Sequence, residues 1–417
     1  MDLKAPVEEK IGSAPDIEPS GRTNPQSAIH NPQSLPSVAA YVHTPFCPSK
    51  CGYCDFNSYA MDGEIIERTV RAMETEIRNS PWRGRPAKTI FFGGGTPTFL
   101  SDSQLCGLLE AVMEVHPPVD GAEITSEANP GTVDIPKFKS MRAAGFNRIS
   151  LGAQSFQRED LIRLGRVHRE SEIGRAVGAA REAGFENLNL DLMFALPGQS
   201  TSAWERNLEL AVSLKPEHLS LYCLTIEPNT RFYKLHQRGM LDLPDDECQV
   251  AMYELACSFA ASAGYEQYEI SNFAKPGYES QHNLCYWRCE EYLGYGPGAV
   301  GCFGNVEGRG SKVEEPKDRT RYTNIKHPER YSAAAEELGS GPRPSLWCDF
   351  ETLNDSTRKL ERIMMGIRLR EGLSTRDLDL ASINRLVNRG WIDASSDHIT
   401  LTSAGRHFCS EVALELA

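Results

Sequence analysis

"HTPFCPSKCGYCDF", residues 43–56, sets Cys47, Cys51 and Cys54 within eight positions and ends on Phe56 instead of a further cysteine. Thiolates at i, i+4 and i+7 can wrap one compact metal centre from a single loop, and Pro45 and Pro48 keep that loop out of helix. A structural zinc site needs a closed set of four ligands, which His43 or the Cys285/Cys289 pair would have to complete. Three cysteines that merely packed a core would not choose a loop broken by proline and glycine. A [4Fe–4S] cluster with one iron lacking a protein ligand uses three thiolates and leaves a place for a small molecule. Of the other nine cysteines, Cys285 and Cys289 form a looser pair and seven are scattered singly, which is no disulfide framework.

The triplet follows the apolar run "VAAYVHTPF", and similar runs then alternate with amphipathic segments as far as about residue 230. "EIIERTVRAMETEIRN" precedes "TIFFGGGTPT", "SDSQLCGLLEAVMEV" precedes "EITSEANP", and the series continues through "RISLGAQSF", "LNLDLMFALPG" and "HLSLYCLTIEP". Six strand-like runs separated by helices predict an α/β protein with a parallel sheet, either an incomplete barrel or an open sheet. Ser101 and Ser171 are placed to cap helices, and Gly145 and Gly184 to end them.

The rhythm also divides the chain. Residues 1–37 are rich in Pro, Ser, Asn and Gln without apolar periodicity and read as a disordered leader. Residues 38–235 form the repeating core. Residues 236–345 read as an extension of it, dense in aromatic residues and glycine ("HNLCYWRCEEYLGYGPGAVGCFG"), with a polar loop over about 307–330. Residues 346–417 read as a small helical, winged-helix-like domain with a short strand in "HITLT". Its bases are balanced by acids, so no nucleic-acid role is expected of it.

At 417 residues and a formal net charge of −13, the chain has the balance of a globular protein that binds small molecules or proteins rather than nucleic acid or an anionic membrane. No run approaches the roughly 20 apolar residues that span a bilayer, and the N-terminus lacks the apolar core of a secretory signal. A cytoplasmic location is the expectation.

The motif Cys-x3-Cys-x-Tyr-Cys after a first strand resembles the radical S-adenosylmethionine (SAM) family. The resemblance implies an incomplete parallel (β/α)6 barrel. In that family SAM chelates the open iron through its amino and carboxylate groups, and an electron from the cluster splits the sulfonium to a 5′-deoxyadenosyl radical. Polar residues stand where the predicted strands end: "GGGTP" (Gly93–Pro97), Glu127, Gln154, Asp191, and Thr225 with Glu227. Ligands of parallel β/α folds collect at those ends.

"YVHTPFC", "FFGGGTPT", "ISLGAQSF", "YEISNFA" and "HNLCYW" together resemble the subgroup that holds oxygen-independent coproporphyrinogen III oxidase and the haem chaperone HemW. This resemblance implies SAM contacts at Tyr41, Gly94, Gly95, Thr96, Glu127, Gln154, Arg166 and Asp191, with Tyr53 beside a second SAM in the true oxidase. The oxidase has a further cysteine where this chain has Phe56, and a longer structured N-terminal region. Both departures argue against coproporphyrinogen decarboxylation and match the chaperone pattern, to which "HNLCYW" (residues 282–287) also points. A histidine can ligate haem iron and flat side chains can pack on a macrocycle, which makes His282 the candidate haem residue. His282 and Asn283 can equally satisfy buried backbone, and Tyr286 and Trp287 can be core. The implied partners are haem and a haem-accepting protein, membrane proteins engaged transiently included, with the chain a monomer or homodimer. The enzyme alternative is radical oxidative decarboxylation of coproporphyrinogen III.

Overall fold

The computed structural model describes residues 35–304, 319–338 and 346–417; the expected leader, up to residue 34, lies outside them. Six parallel strands follow one another across a single sheet: β1 (Val38–Thr44), β2 (Ala87–Gly94), β3 (Pro118–Ala128), β4 (Arg148–Gln154), β5 (Asn187–Phe194) and β6 (His218–Cys223). The helices between them are α1 (Glu64–Arg78), α2 (Asp102–Val115), α3 (Ile135–Ala144), α4 (Arg158–Leu164), α5 (Glu170–Glu182) and α6 (Thr201–Ser213). Successive strand side chains point to opposite faces, and the two faces differ in chemistry. On the helix-bearing face stand Val42, Phe92, Ile124, Leu151, Leu190 and Leu221, all in the main apolar core. Each fully buried aliphatic side chain there contributes about 1.5–3 kcal/mol of burial. The other face is polar: Thr89, Glu123, Arg148, Asn189 and His218 are buried on it.

The sheet extends beyond the six strands. Past α7 (Arg231–His236) and α8 (Asp246–Ser262), β7 (Glu266–Gln267) and β8 (Asn272–Ala274) add antiparallel beside β6. The short α9 (Gln281–Trp287) leads to β9 (Tyr292–Tyr295), which pairs parallel with the far side of β1. Then β10 (Val300–Gly304), β11 (Arg319–Asn324) and β12 (Trp347–Leu353) continue antiparallel, with α10 (Pro328–Glu336) between the last two. The order β12-β11-β10-β9-β1-β2-β3-β4-β5-β6-β8-β7 does not close on itself, so the barrel is incomplete, as expected. Of the polar loop expected over 307–330, the part up to 318 lies outside the described residues, and the rest is corrected, because 319–324 is a strand and 328–336 a helix.

After α11 (Asp355–Gly366), three strands, β13 (Leu373–Ser374), β14 (Ile392–Ala394) and β15 (His398–Leu401), form a separate antiparallel sheet. With α12 (Leu380–Asn388), α13 (Ser403–Arg406) and α14 (Cys409–Leu416), they surround their own core of Ile363, Ile367, Leu386, Ile399 and Val412. Ser101 caps α2 through a reciprocal capping box with Gln104. Ser171 caps nothing: α5 begins one residue earlier, and Glu172 reaches back to the Arg169 N–H in its place.

Candidate active-site cavity

Because β1–β6 are parallel, their carboxyl ends gather on one side, and the loop after β1 carries the three cysteines there. That loop is pinned by the Cys47 N–H to the Tyr59 carbonyl (3.0 Å) and the Tyr59 N–H to the Pro45 carbonyl (2.7 Å). The Gly52 N–H donates to the Leu164 carbonyl (3.0 Å), and the Phe232 N–H to the Gly52 carbonyl (2.9 Å). Lys50 Nζ closes the loop's far side onto the Phe56 and Ser58 carbonyls (3.0 and 3.2 Å).

Cys47, Cys51 and Cys54 front a cavity of about 410 Å³. Gly94, Gly95, Thr96, Glu127, Gln154, Arg166, Asp191 and Tyr53 line it as well, and so do Thr225 and Glu227. Two expected residues lie elsewhere. Tyr41 stands behind the cavity, its hydroxyl bonded to His43 Nδ1 (3.0 Å) and its ring stacked on Phe91. His282 is buried on the sheet's polar face beneath it. Its Nδ1 meets Thr89 Oγ1 (2.8 Å), its Nε2 meets the Tyr286 hydroxyl (2.9 Å), and its ring stacks on Phe91. Neither nitrogen offers a free lone pair to an iron in this arrangement. Sequence reasoning passed over Ser150, Asn129 and Tyr222, all of which line the cavity. Period-two alternation back from Gln154 and Gly152 would have found Ser150.

The glycines have a steric cause. A Cβ on Gly95 would sit 2.6 Å from the Phe46 carbonyl and 2.7 Å from the Thr44 carbonyl, and Gly94 holds φ 103°. Only glycine lets this turn close against the cysteine loop. The Gly94 N–H donates to Glu127 Oε2 (3.2 Å). Burial, and then neighbouring Asp191, push the Glu127 carboxyl up to about 8. Burial also raises Asp191, against hydrogen bonds from Ser150 Oγ (3.0 Å) and Asn189 Nδ2 (2.8 Å). Two buried carboxyls side by side resist ionisation unless a cation joins them.

Among the thiols, Cys47 Sγ lies 3.3 Å from Thr96 Oγ1, and Arg166 directs one guanidinium nitrogen at Cys51 Sγ (3.7 Å) and another at the Gly152 carbonyl (2.7 Å). Arg166 Nε is buried without a partner. Burial raises the Cys47 and Cys54 thiols, which a bound metal centre reverses by binding thiolate. Among the described residues no three His, Cys, Asp or Glu side chains converge on a single ion. His43 has both nitrogens engaged, Nε2 to the Asn57 carbonyl at 2.9 Å, so it cannot complete a zinc site. Three thiols at one cavity mouth beside a buried guanidinium suit an anionic iron–sulfur cluster, and the glycine turn leaves room for a ligand on it. Phe56, 59% exposed, stands on the rim.

The Radical SAM superfamily profile matches residues 41–211. "Heme chaperone HemW" of Bacillus subtilis is 38% identical over 388 residues, spanning 90% of this chain and 97% of that protein. The protein of the same name from Escherichia coli is 38% identical over 393 residues, covering 92% and 98%. The chain belongs to the HemW family. Among solved structures, the Escherichia coli coproporphyrinogen III oxidase (HemN), a radical SAM enzyme, superposes with a TM-score of 0.75 at 23% identity, over 94% of this chain and 92% of that one. At that identity the likeness concerns the HemW-family fold alone. No helix among the described residues of this HemW-family chain is long and apolar enough to cross a membrane.

Proposed function

We propose that this chain takes up haem and hands it to a haem-dependent acceptor protein, soluble or membrane-bound, while holding a [4Fe–4S] cluster on Cys47, Cys51 and Cys54 and an exchangeable SAM at the strand ends. The observation that supports the haem reading is the end-to-end likeness to proteins named heme chaperone, together with Phe56 on the cavity rim in place of a further thiol. When bound, the cluster would supply a single electron and an open iron to which SAM attaches.

The chain's own residues have separable tasks in this reading. Arg166 offsets thiolate charge and holds the loop against Gly152. Gly94 and Gly95 admit the amino-acid end of SAM close to the backbone, and Glu127 receives its ammonium. Asp191, fixed by Ser150 and Asn189, and Gln154 stand where ribose hydroxyls would need acceptors and donors. His282 acts as an iron ligand only if one ring nitrogen releases its present partner, Nε2 from Tyr286 or Nδ1 from Thr89, the other keeping its hydrogen bond.

The test is a haem titration of anaerobically reconstituted protein, followed by absorbance, with coproporphyrin III as parallel ligand. Stoichiometric haem binding with a shifted Soret band is expected. Preference for coproporphyrin without a haem signal, or sustained protoporphyrinogen formation from coproporphyrinogen III with SAM and reductant, would return the chain to the oxidase class.

A further inference from the structure

The six residues of "HNLCYW" lie on α9, and the helix presents them in two directions. His282 and Tyr286, four apart, meet each other on the sheet's polar face. Asn283 and Trp287, also four apart, front a second cavity of about 1300 Å³. Trp287 Nε1 is buried there without a hydrogen-bond partner. Across the cavity, α11 turns Leu360 and Met364 toward it, 39% and 43% exposed and again four apart. Arg368, just past α11, lays its guanidinium over the Trp287 ring at 5.7 Å. Its Nε donates to the Met364 carbonyl (3.2 Å), and its charge acts on the buried Glu269 carboxyl, which lines the same cavity. Arg319 also lines this cavity, with Nε buried and unpartnered. Seven Lys and Arg line the cavity against five Asp and Glu, and four of the seven, Arg288, Arg321, Arg358 and Arg362, are held in ion pairs.

A flat indole wall, an apolar methionine and leucine face and guanidinium groups outside any close ion pair among the described residues, Arg368 and Arg319, suit a planar macrocycle bearing carboxylates. We propose that the second cavity seats a tetrapyrrole carboxylate, with Trp287 against the ring and Arg368 on one carboxylate. This rests on the haem reading above and places the ligand beside Tyr286, which also lines the cavity and whose hydroxyl holds His282 Nε2. Tyr222 lines both cavities, so the seated macrocycle shares a wall with the cysteine cavity.

The experiment uses the full chain, reconstituted anaerobically, with haemin, haemin dimethyl ester and coproporphyrin III as probes and Arg368→Gln and Trp287→Leu as variants. Arg368→Gln should weaken haemin binding about tenfold or more. It should leave cluster absorbance unchanged and bind the dimethyl ester, which has no free carboxylate, as the wild type does. Trp287→Leu should weaken all three probes. Arg368→Lys, which keeps the charge without the planar fork, should recover part of the loss, while the unchanged cluster absorbance and ester binding of Arg368→Gln report that it is folded. Stronger binding of coproporphyrin than of haemin, with the same dependence on Arg368, supports the seat and identifies the tetracarboxylate as its occupant. Wild-type haemin affinity in both variants would overturn the seat while leaving the haem reading standing. Failure of the wild type to bind any of the probes would overturn both.

Discussion

Glu127 shows how one residue can tie ligand binding to protons. Its carboxyl is buried beside Asp191 and pushed up to about 8, so without ligand it is largely protonated at neutral pH. An ammonium placed against it favours the ionised form and draws the pKa down. SAM binding near pH 7 should therefore release close to one proton, and SAM affinity should rise with pH until about 8. Calorimetric titration in buffers of different ionisation enthalpy measures the release directly. Glu127→Gln should abolish the release and flatten the pH dependence. Proton release that persists in that variant would assign the linkage to another group. In the absence of ligand the same group acts on stability. Its folded pKa lies above the unfolded value near 4.5, so its contribution is complete below that value and is lost as pH rises through 8, at most about 1.4 kcal/mol per unit.

At the scale of elements, α9 separates what a motif suggests from what a helix presents. Removing His282 leaves Thr89 and Tyr286 without partners and opens a gap beside Phe91. His282→Ala should therefore cost about 2–4 kcal/mol in denaturant unfolding while the folded fraction keeps its haem spectrum. A variant of wild-type stability that had lost the Soret shift would put the ring on the iron instead. The sequence shows that "HNLCYW" matters but not which way it turns, since orientation depends on Thr89 and Glu123, more than 150 residues away. The six parallel strands and the cysteine cavity were readable because period-two patterning and polar strand ends are local signals. The strands β9 to β12 were not: β9 is four residues with two tyrosines and a glycine, and its partner is β1, some 250 residues earlier. Tyr41 illustrates the same limit, for strand register put it behind the cavity instead of in its wall.

The whole molecule carries its polar interior as a pH limit. Burial lowers His116 and His168 to about 4 and His282 to about 3, and holds His218 well below its ordinary value. His116 sits neutral between the Arg85 carbonyl and the Tyr295 hydroxyl, and His218 between Asn189 and Tyr268. These folded pKa values lie below the unfolded value near 6.5, so their contribution is present above 6.5 and is lost as pH falls toward 4 and then 3. Glu127, Asp191 and Glu269, all raised by burial, act in the opposite direction, but three carboxyls do not offset five histidines, His43 being lowered by burial as well. Equilibrium unfolding of the ligand-free protein should therefore lose stability from pH 6.5 to 4.5 with a slope above about 1.4 kcal/mol per unit, the most that a single titrating group can give. A flat profile over that interval would mean that the histidines reach solvent, and with it that the polar face of the sheet is open rather than packed under α9. Because Glu127 opposes the histidines over the whole span from about 4.5 to 8, Glu127→Gln should flatten the limb from pH 6.5 to 8 and steepen the acid limb by at most about 1.4 kcal/mol per unit.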